Sequence, residues 1–465
     1  MADAGLACSS VAVALLLVLA GQPSLAEQIA DNHTAGIAAL LEWVRDAGGW
    51  LDEARVGILE SSKFGDEPGG RGFYSLRPVQ EGCLLAWMPE SHFLTQYTNP
   101  EIHQRAQSLA WPPDTSEDEN YESIVSFATV AAALAVEARR GPQSAFHAHI
   151  ESMPKDCPQN FATAPPELRA WLLASPLESK ARYLDMALWG LARLSEWLGL
   201  SPDEEQWAGC TTTSRVFTHP RLGVAFYPLL ELTNHGFSSH VTHFAAVTHR
   251  PGGCDVIAEE SDGDSESPGH LRIDLVPGAG LVASRDLAIG DEVAFSYGER
   301  SNADLAMVYD FVMPGAAAAS PLLVPVGGLA RADCGEAERT EDGEQAAAVA
   351  LPRELSPSAL RVALGCLLEP EEEASEEEEL HEGSAAAWSA KDLPVLKATR
   401  EACEDLGRRW AESLEAAPPD LGHAFPRLFG AALQEQQHLE ECAWTSSAVA
   451  AHVERQLARR AALRR

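Results

Sequence analysis

The chain has 465 residues, 46% of them hydrophobic, and a formal net charge of −35 from 69 acidic and 34 basic side chains. That length and hydrophobic content provide for two or three folded domains and exclude a disordered chain. The acidic balance argues against a nucleic-acid partner, whose phosphates need surfaces rich in Lys and Arg, and suits a basic protein better.

Residues 1–26 read as a targeting leader: Val11 to Ala20 is almost wholly aliphatic, and Ser24-Leu25-Ala26 offers small residues for cleavage. The run is too short to span a bilayer. Its n-region carries Asp3 and no Lys or Arg, which leaves three routes open: secretion, import into an organelle such as a plastid, or an uncleaved helix on a cytosolic or nuclear protein. No later apolar stretch is expected to be long enough to cross a membrane. Ala35 to Trp50 has helical spacing, and Val56 to Leu59 reads as a strand followed by the glycine-rich Gly69-Gly70-Arg71-Gly72. Phe73 to Leu76 and Cys83 to Met88 flank a turn at Gln80-Glu81-Gly82, a pattern that predicts a β-meander.

From Tyr121 to about Leu200 the periodicity is helical, with Leu184, Leu188, Leu191, Leu194 and Leu198 on one face. Ser201-Pro202-Asp203-Glu204 has capping-box spacing with proline at the first helical position, a strong start signal. Strand signals return after Arg215: Leu271, Ile273 and Leu275 alternate with polar residues, Ser261 to Gly269 reads as a surface loop, and Val293, Phe295 and Tyr297 are expected on one face of a strand. Beyond Pro314 the chain is rich in Ala and Leu with helical spacing, interrupted by the acidic run Glu369 to Glu382. The nine cysteines are scattered with no C-x-x-C pair, and read as buried thiols rather than a disulfide framework.

Taken alone, Gly70-Arg71-Gly72 is a weak signal, because a simple turn needs glycine as often as a cofactor does. No strand-to-helix GxGxxG and no GxxxxGK[ST] occurs, so neither a dinucleotide fold nor a P-loop is indicated. His235, His240, His243 and His249 raise the alternative of a metal-binding protein, but their spacing matches no ligand pattern and a strand splits them between two faces. No metal site is expected. More specific is the combination of Glu231-Leu232-Thr233-Asn234-His235, then Phe295-Ser296-Tyr297-Gly298, then Ser301-Asn302.

That combination resembles the SET methyltransferase family, in particular its plant-type branch, which includes the Rubisco large-subunit lysine and the actin-histidine methyltransferases. Gly70-Arg71-Gly72, Met153-Pro154, Ser214-Arg215-Val216-Phe217 and Asn302 through Tyr309 to Phe311 match the branch in order and spacing, so the similarity runs from about Gly57 to Pro314. The resemblance implies an α+β fold: a β-rich, pseudoknotted SET core at 27–314 with a helical insert at about 100–210, then an all-α substrate-binding domain at 315–465 with an acidic linker at 369–383.

The resemblance also implies S-adenosyl-L-methionine as cofactor and a protein substrate methylated on lysine or, as the alternative, on histidine; a monomer is expected. Gly70, Arg71 and Gly72 would pass their backbone along the cofactor, Arg215 would face its carboxylate, Asn234 and His235 would hydrogen-bond it, Glu231 would shape the same pocket, and Phe311 would lie near the adenine. Tyr297 would be the catalytic residue, its hydroxyl at the mouth of the channel joining cofactor and substrate nitrogen. On their own, a tyrosine at a strand end is a half-buried packing residue and an arginine a surface cation; their place in the pattern gives them these roles. Two positions depart from the branch: Glu231 stands where aspartate is usual, and Asp310 where glycine is usual. If the latter has positive φ, aspartate costs about 1 kcal/mol there. A SET-derived binding module without catalysis is the reading from another class, and the glycine turn, Asn234-His235 and Tyr297 speak against it.

Overall fold

The computed structural model describes residues 35–60, 71–116, 120–246, 276–298, 300–313, 320–325, 338–339, 345–351, 356–364, 367–368, 388 and 390–463. The leader, Gly70, His249, the strand expected around Ile273, the loop Ser261 to Gly269, the acidic run and Arg464-Arg465 lie outside them. The chain divides into two compact units, one of Met1–Thr98, Val136–Lys155 and Val216–Ser296, the other of Asn99–Ala135, Asp156–Arg215 and Tyr297–Arg465.

Among the described residues the first unit carries ten strands in three antiparallel sheets. They are β1 (Trp50–Leu51), β2 (Val56–Glu60), β3 (Arg71–Ser75), β4 (Leu84–Pro89), β5 (Leu94–Thr95), β6 (Phe217–His219), β7 (Gly223–Phe226), β8 (His235–Ala246), β9 (Val276–Ala283) and β10 (Glu292–Val293). The sheet orders are β1-β4-β9-β8, β10-β3-β2 and β5-β7-β6. The helix Ala35–Asp46 presents Ile37, Leu40, Leu41 and Val44, one stripe at helical spacing, to a core that includes Leu85, Met88, Ala279 and Leu281. Burying each such side chain contributes about 1.5–3 kcal/mol. The helix ends before Trp50, which begins β1, so it is shorter than its apolar pattern predicts. β2 and β3 form the expected hairpin, but the meander stops there: β4 leaves to pair with β1 and β9. Its six residues are all buried, and only a central position covers both faces of such a strand.

Leu229 has φ 72° and ψ −53°, the strained γ-turn region that a branched side chain rarely enters, yet it is fully buried. This turn redirects the chain into Leu230–Leu232 and on to Asn234.

The second unit is mainly helical. In Glu178–Leu198 the predicted face holds, with Leu184, Leu191 and Leu194 buried. Pro202–Arg215 starts on the predicted capping box, the Ser201 N–H donating to Glu204 Oε2 at 2.7 Å and the Glu204 N–H to Ser201 Oγ at 3.3 Å. The stretch after Pro314 departs from the all-α expectation. A small antiparallel sheet of β11 (Ser320–Pro325), β12 (Glu338–Arg339) and β13 (Gln345–Leu351) precedes the helices. Alanine-rich β13 satisfies its backbone from both sides in that sheet, a tertiary override of helix propensity. Leu393–Glu415 and the long Pro426–Leu463 then pack together around Trp410, Leu396 and Leu439.

Two expectations are corrected. Cys157–Cys210 and Cys403–Cys442 are disulfides, with Cα atoms 5.8 and 6.0 Å apart, and Cys83 is also disulfide-bonded. Partners 53 and 39 residues apart leave no spacing signature. Tyr121–Gln143, in turn, is long and apolar enough to cross a membrane by composition, yet 72% of its apolar window is buried inside the protein. Its run of Ala128, Ala131, Ala132 and Leu134 is fully buried, as befits a core helix whose small side chains admit close neighbours.

Candidate active site

In the first unit, two sequence motifs far apart in the chain meet. Gly72 lies in β3, and a Cβ there would stand 2.6 Å from Asn234 Nδ2 and 2.9 Å from Glu292 Oε1. Those two groups are bonded to each other, the Asn234 amide donating to Glu292 Oε1 at 2.7 Å. A side chain here would therefore have to displace the ends of the Asn234–Glu292 pair packed against it. Asn234 also holds a distant segment: its carbonyl accepts from the Phe295 N–H at 3.0 Å, and His235 and Phe295 form a parallel bridge. Asn234 Oδ1 accepts no hydrogen bond among the described residues and its side chain is half-buried. Gly72→Ala is expected to lower the urea midpoint, with a loss of about 1–3 kcal/mol, by overpacking this junction.

Phe295 is itself held by a column of rings. Phe93 stacks on Tyr227 at 4.2 Å, Tyr227 on Phe217 at 4.4 Å, and Phe217 on Phe295 at 5.2 Å. Burial pushes the Tyr227 phenol up, so it stays neutral. Ser238 adds polar stitches, its hydroxyl accepting from the Ala294 N–H and donating to Glu292 O, each at 2.8 Å. Arg71, half-buried, donates to Ser152 O at 2.6 Å. His235 is buried and His240, on the opposite face of β8, is exposed.

Glu231 has a partner that the sequence pattern did not name. Its carboxylate faces His149 at 3.1 Å, both side chains wholly inside the protein and neither with another hydrogen-bond partner among the described residues. The Trp43 ring stacks on His149 at 6.3 Å and Phe226 meets it edge-on. The longer arm of glutamate is what reaches this partner, and a pair so buried holds the Leu230–Leu232 turn in place: losing one partner strands the other in a dry interior.

In the second unit, Tyr297, Tyr309 and Phe311 form an aromatic cluster, with ring centroids 4.8 Å (Tyr297 to Tyr309), 5.9 Å (Tyr309 to Phe311) and 6.4 Å (Tyr297 to Phe311) apart. Tyr297 lies beyond the two-residue β10 rather than on it, and the next residue, Gly298, has φ 97° and turns the chain there. Arg300 reaches back, its Nε donating to Tyr297 O at 2.9 Å, while its other end pairs with Asp304 at 2.8 Å and its guanidinium lies over the Tyr309 ring. Burial pushes the Tyr309 phenol up. Asn302 closes the segment on itself: its Oδ1 accepts from the Met313 N–H at 2.8 Å.

Asp310 has φ 58° and ψ 37°, the left-handed conformation that a glycine supplies cheaply. Its carboxylate accepts from the Gln159 N–H at 3.0 Å and pairs with Arg427 at 3.1 Å, which offsets the backbone cost. Arg215, the last residue of its helix, is half-buried and has no ion pair or side-chain hydrogen bond among the described residues. A cation in that state is a ready anchor for an anion.

No protein-family model and no curated protein matches the chain. Among solved structures it is similar to the SET domain of LSMT bound to lysine and AdoHcy, with 16% identity, coverage of 93% of this chain and 94% of the other, and a TM-score of 0.48. It is also similar to Rubisco LSMT bound to sinefungin and monomethyllysine, with 16% identity, coverage of 91% and 94%, and a TM-score of 0.46. A third similar structure is Rubisco LSMT bound to AdoMet, with 16% identity, coverage of 88% and 93%, and a TM-score of 0.44.

Proposed function

We propose that this protein is a methyltransferase that moves a methyl group from S-adenosylmethionine to a side-chain nitrogen, lysine in the first instance, of a protein substrate. The observation that carries this reading is the packing of Gly72 against the Asn234–Glu292 pair, with Asn234 in turn bonded to Phe295. It brings Gly72 and the Asn-His segment side by side, and Phe295, bonded to Asn234, lies two residues before Tyr297 in the chain. The residues suit the cofactor: Asn234 Oδ1 is available to a donor such as an amine, and Arg215 is available to a carboxylate.

The cofactor, when bound, supplies a methyl carbon already activated by a sulfonium. The protein's task is then alignment and exclusion of water. Tyr297 orients the acceptor nitrogen, which must be neutral to attack; an apolar channel beside a cation lowers a lysine pKa by desolvation and like-charge repulsion. Residues 27–314 serve as the methyltransferase core and 315–465, with linker 369–383, as the part that selects the substrate. The disulfides favour an oxidising compartment. Histidine methylation is the runner-up within the same chemistry.

Calorimetry with S-adenosylmethionine tests the reading. Wild type is expected to bind in the micromolar range and Asn234→Ala to weaken binding by about tenfold or more, the scale of one lost buried hydrogen bond. A wild-type protein that is folded by circular dichroism and binds no S-adenosylmethionine sinks the reading and leaves a SET-derived interaction module.

A further inference from the structure

The Asn302–Tyr309 helix that follows Tyr297 is gripped at both ends by one other element of the same unit. At its start, the Ala303 N–H donates to Glu435 Oε1 at 2.9 Å, beside the Ser301 hydroxyl that caps the helix by accepting from the Asp304 N–H at 3.1 Å. At its end, Arg427 donates to the Asp310 carbonyl at 2.9 Å and pairs with the Asp310 carboxylate. Glu435 and Arg427 both belong to Pro426–Leu463.

The spacing fits. Glu435 lies just over two turns beyond Arg427, about 12 Å along the axis, and Ala303 and Asp310 are about 10 Å apart along theirs, so the two helices run antiparallel with matched ends. The signs fit as well. An acid sits at the positive N-terminus of the short helix and a base at its negative C-terminus, each favourable with the helix dipole. Burial pushes the Glu435 carboxyl up to about 7, an effect that Asp304 reinforces and that bonds from Ser301, Ala303 and Trp410 oppose. From the gripped helix the contact chain continues through Asp304 to Arg300 and to the carbonyl of Tyr297.

We propose that Pro426–Leu463 is a brace for the catalytic tyrosine, with Glu435 and Arg427 as positioning residues that fix the 297–310 segment. The inference rests on the proposed methyltransferase reading and gives the C-terminal region a share in the rate of the reaction as well as in substrate choice.

The test uses the full chain with Glu435→Ala, Glu435→Gln, Arg427→Met and Arg427→Lys. Hydrogen exchange is read over 297–309, and initial rates are taken with tritiated S-adenosylmethionine and a protein extract as methyl acceptor. Glu435→Ala and Arg427→Met are expected to speed exchange over 297–309 and to lower the maximal rate by about tenfold or more, the scale of a small misplacement at a reacting centre. The KM for S-adenosylmethionine should stay within about twofold. Glu435→Gln, whose amide oxygen still accepts from Ala303, and Arg427→Lys should restore most of the rate. Unchanged exchange in a folded Glu435→Ala overturns the grip, and faster exchange with an unchanged rate overturns the positioning role. If Glu435→Ala fails to fold, Arg427→Met gives the same two readings. A wild type without methyl transfer removes the methyltransferase reading and the positioning role with it; exchange then still reports the grip on its own.

Discussion

Tyr297→Phe is expected to lower the rate of methyl transfer by about 10²–10³-fold and to leave the affinity for S-adenosylmethionine within about threefold, the pattern of a group whose contribution is made in the transition state. Phenylalanine keeps the ring, so the contacts with Tyr309 and Phe311 survive and so does the carbonyl that Arg300 holds. Only the hydroxyl is lost, and the variant is expected to fold. Calorimetry and single-turnover transfer of a labelled methyl group separate the two effects. A transfer rate equal to wild type would remove Tyr297 from the chemistry and leave it as a packing residue.

Loss of the Cys403–Cys442 disulfide is expected to lower stability by about 2–4 kcal/mol, and loss of Cys157–Cys210 by a similar amount. The bridges close stretches of 39 and 53 residues, for which the chain-entropy argument gives about 4 kcal/mol each, an upper figure because denatured chains retain structure. Cys403 and Cys442 tie Leu393–Glu415 to Pro426–Leu463, the element that grips the Asn302–Tyr309 helix. The paired Cys403→Ser/Cys442→Ser variant, followed by urea unfolding with and without reductant, measures this. A variant midpoint that matches wild type without reductant, and a shift on adding reductant that is equal in the two proteins, would show that these two sulfurs are not bonded in solution.

What could be read from the sequence was whatever repeats at short range or sits in a compact motif. The Leu184 to Leu194 face, the Ser201 capping box and the β2–β3 hairpin are local, and they formed as their patterns predict. The destination of β4 was not legible, because a strand buried on both faces carries no alternation to say which neighbour it joins. Nor was the end of the strand before Tyr297, which stops at Val293 although the apolar alternation continues through Phe295 and Tyr297. At the candidate site the partners of the motif residues were not legible. His149, Glu292, Arg427 and Glu435 are single polar residues dozens of positions away from the groups they hold, with nothing in their surroundings to mark them. The departures at 231 and 310 were visible as oddities. Only the structure supplies their counterparts, a buried histidine for the longer acid and an arginine for the left-handed aspartate.

The turn at Leu229 limits what substitution can improve. Glycine there would relieve a backbone cost of about 1–3 kcal/mol but would empty a site that is fully buried, at about 2–5 kcal/mol. A β-branched residue fills the space and makes the backbone worse. The backbone and the core thus pull in opposite directions at this position, and a redesign guided by dihedral preference alone would trade one cost for another. Improvement at that bend requires the turn and its surrounding core to change together.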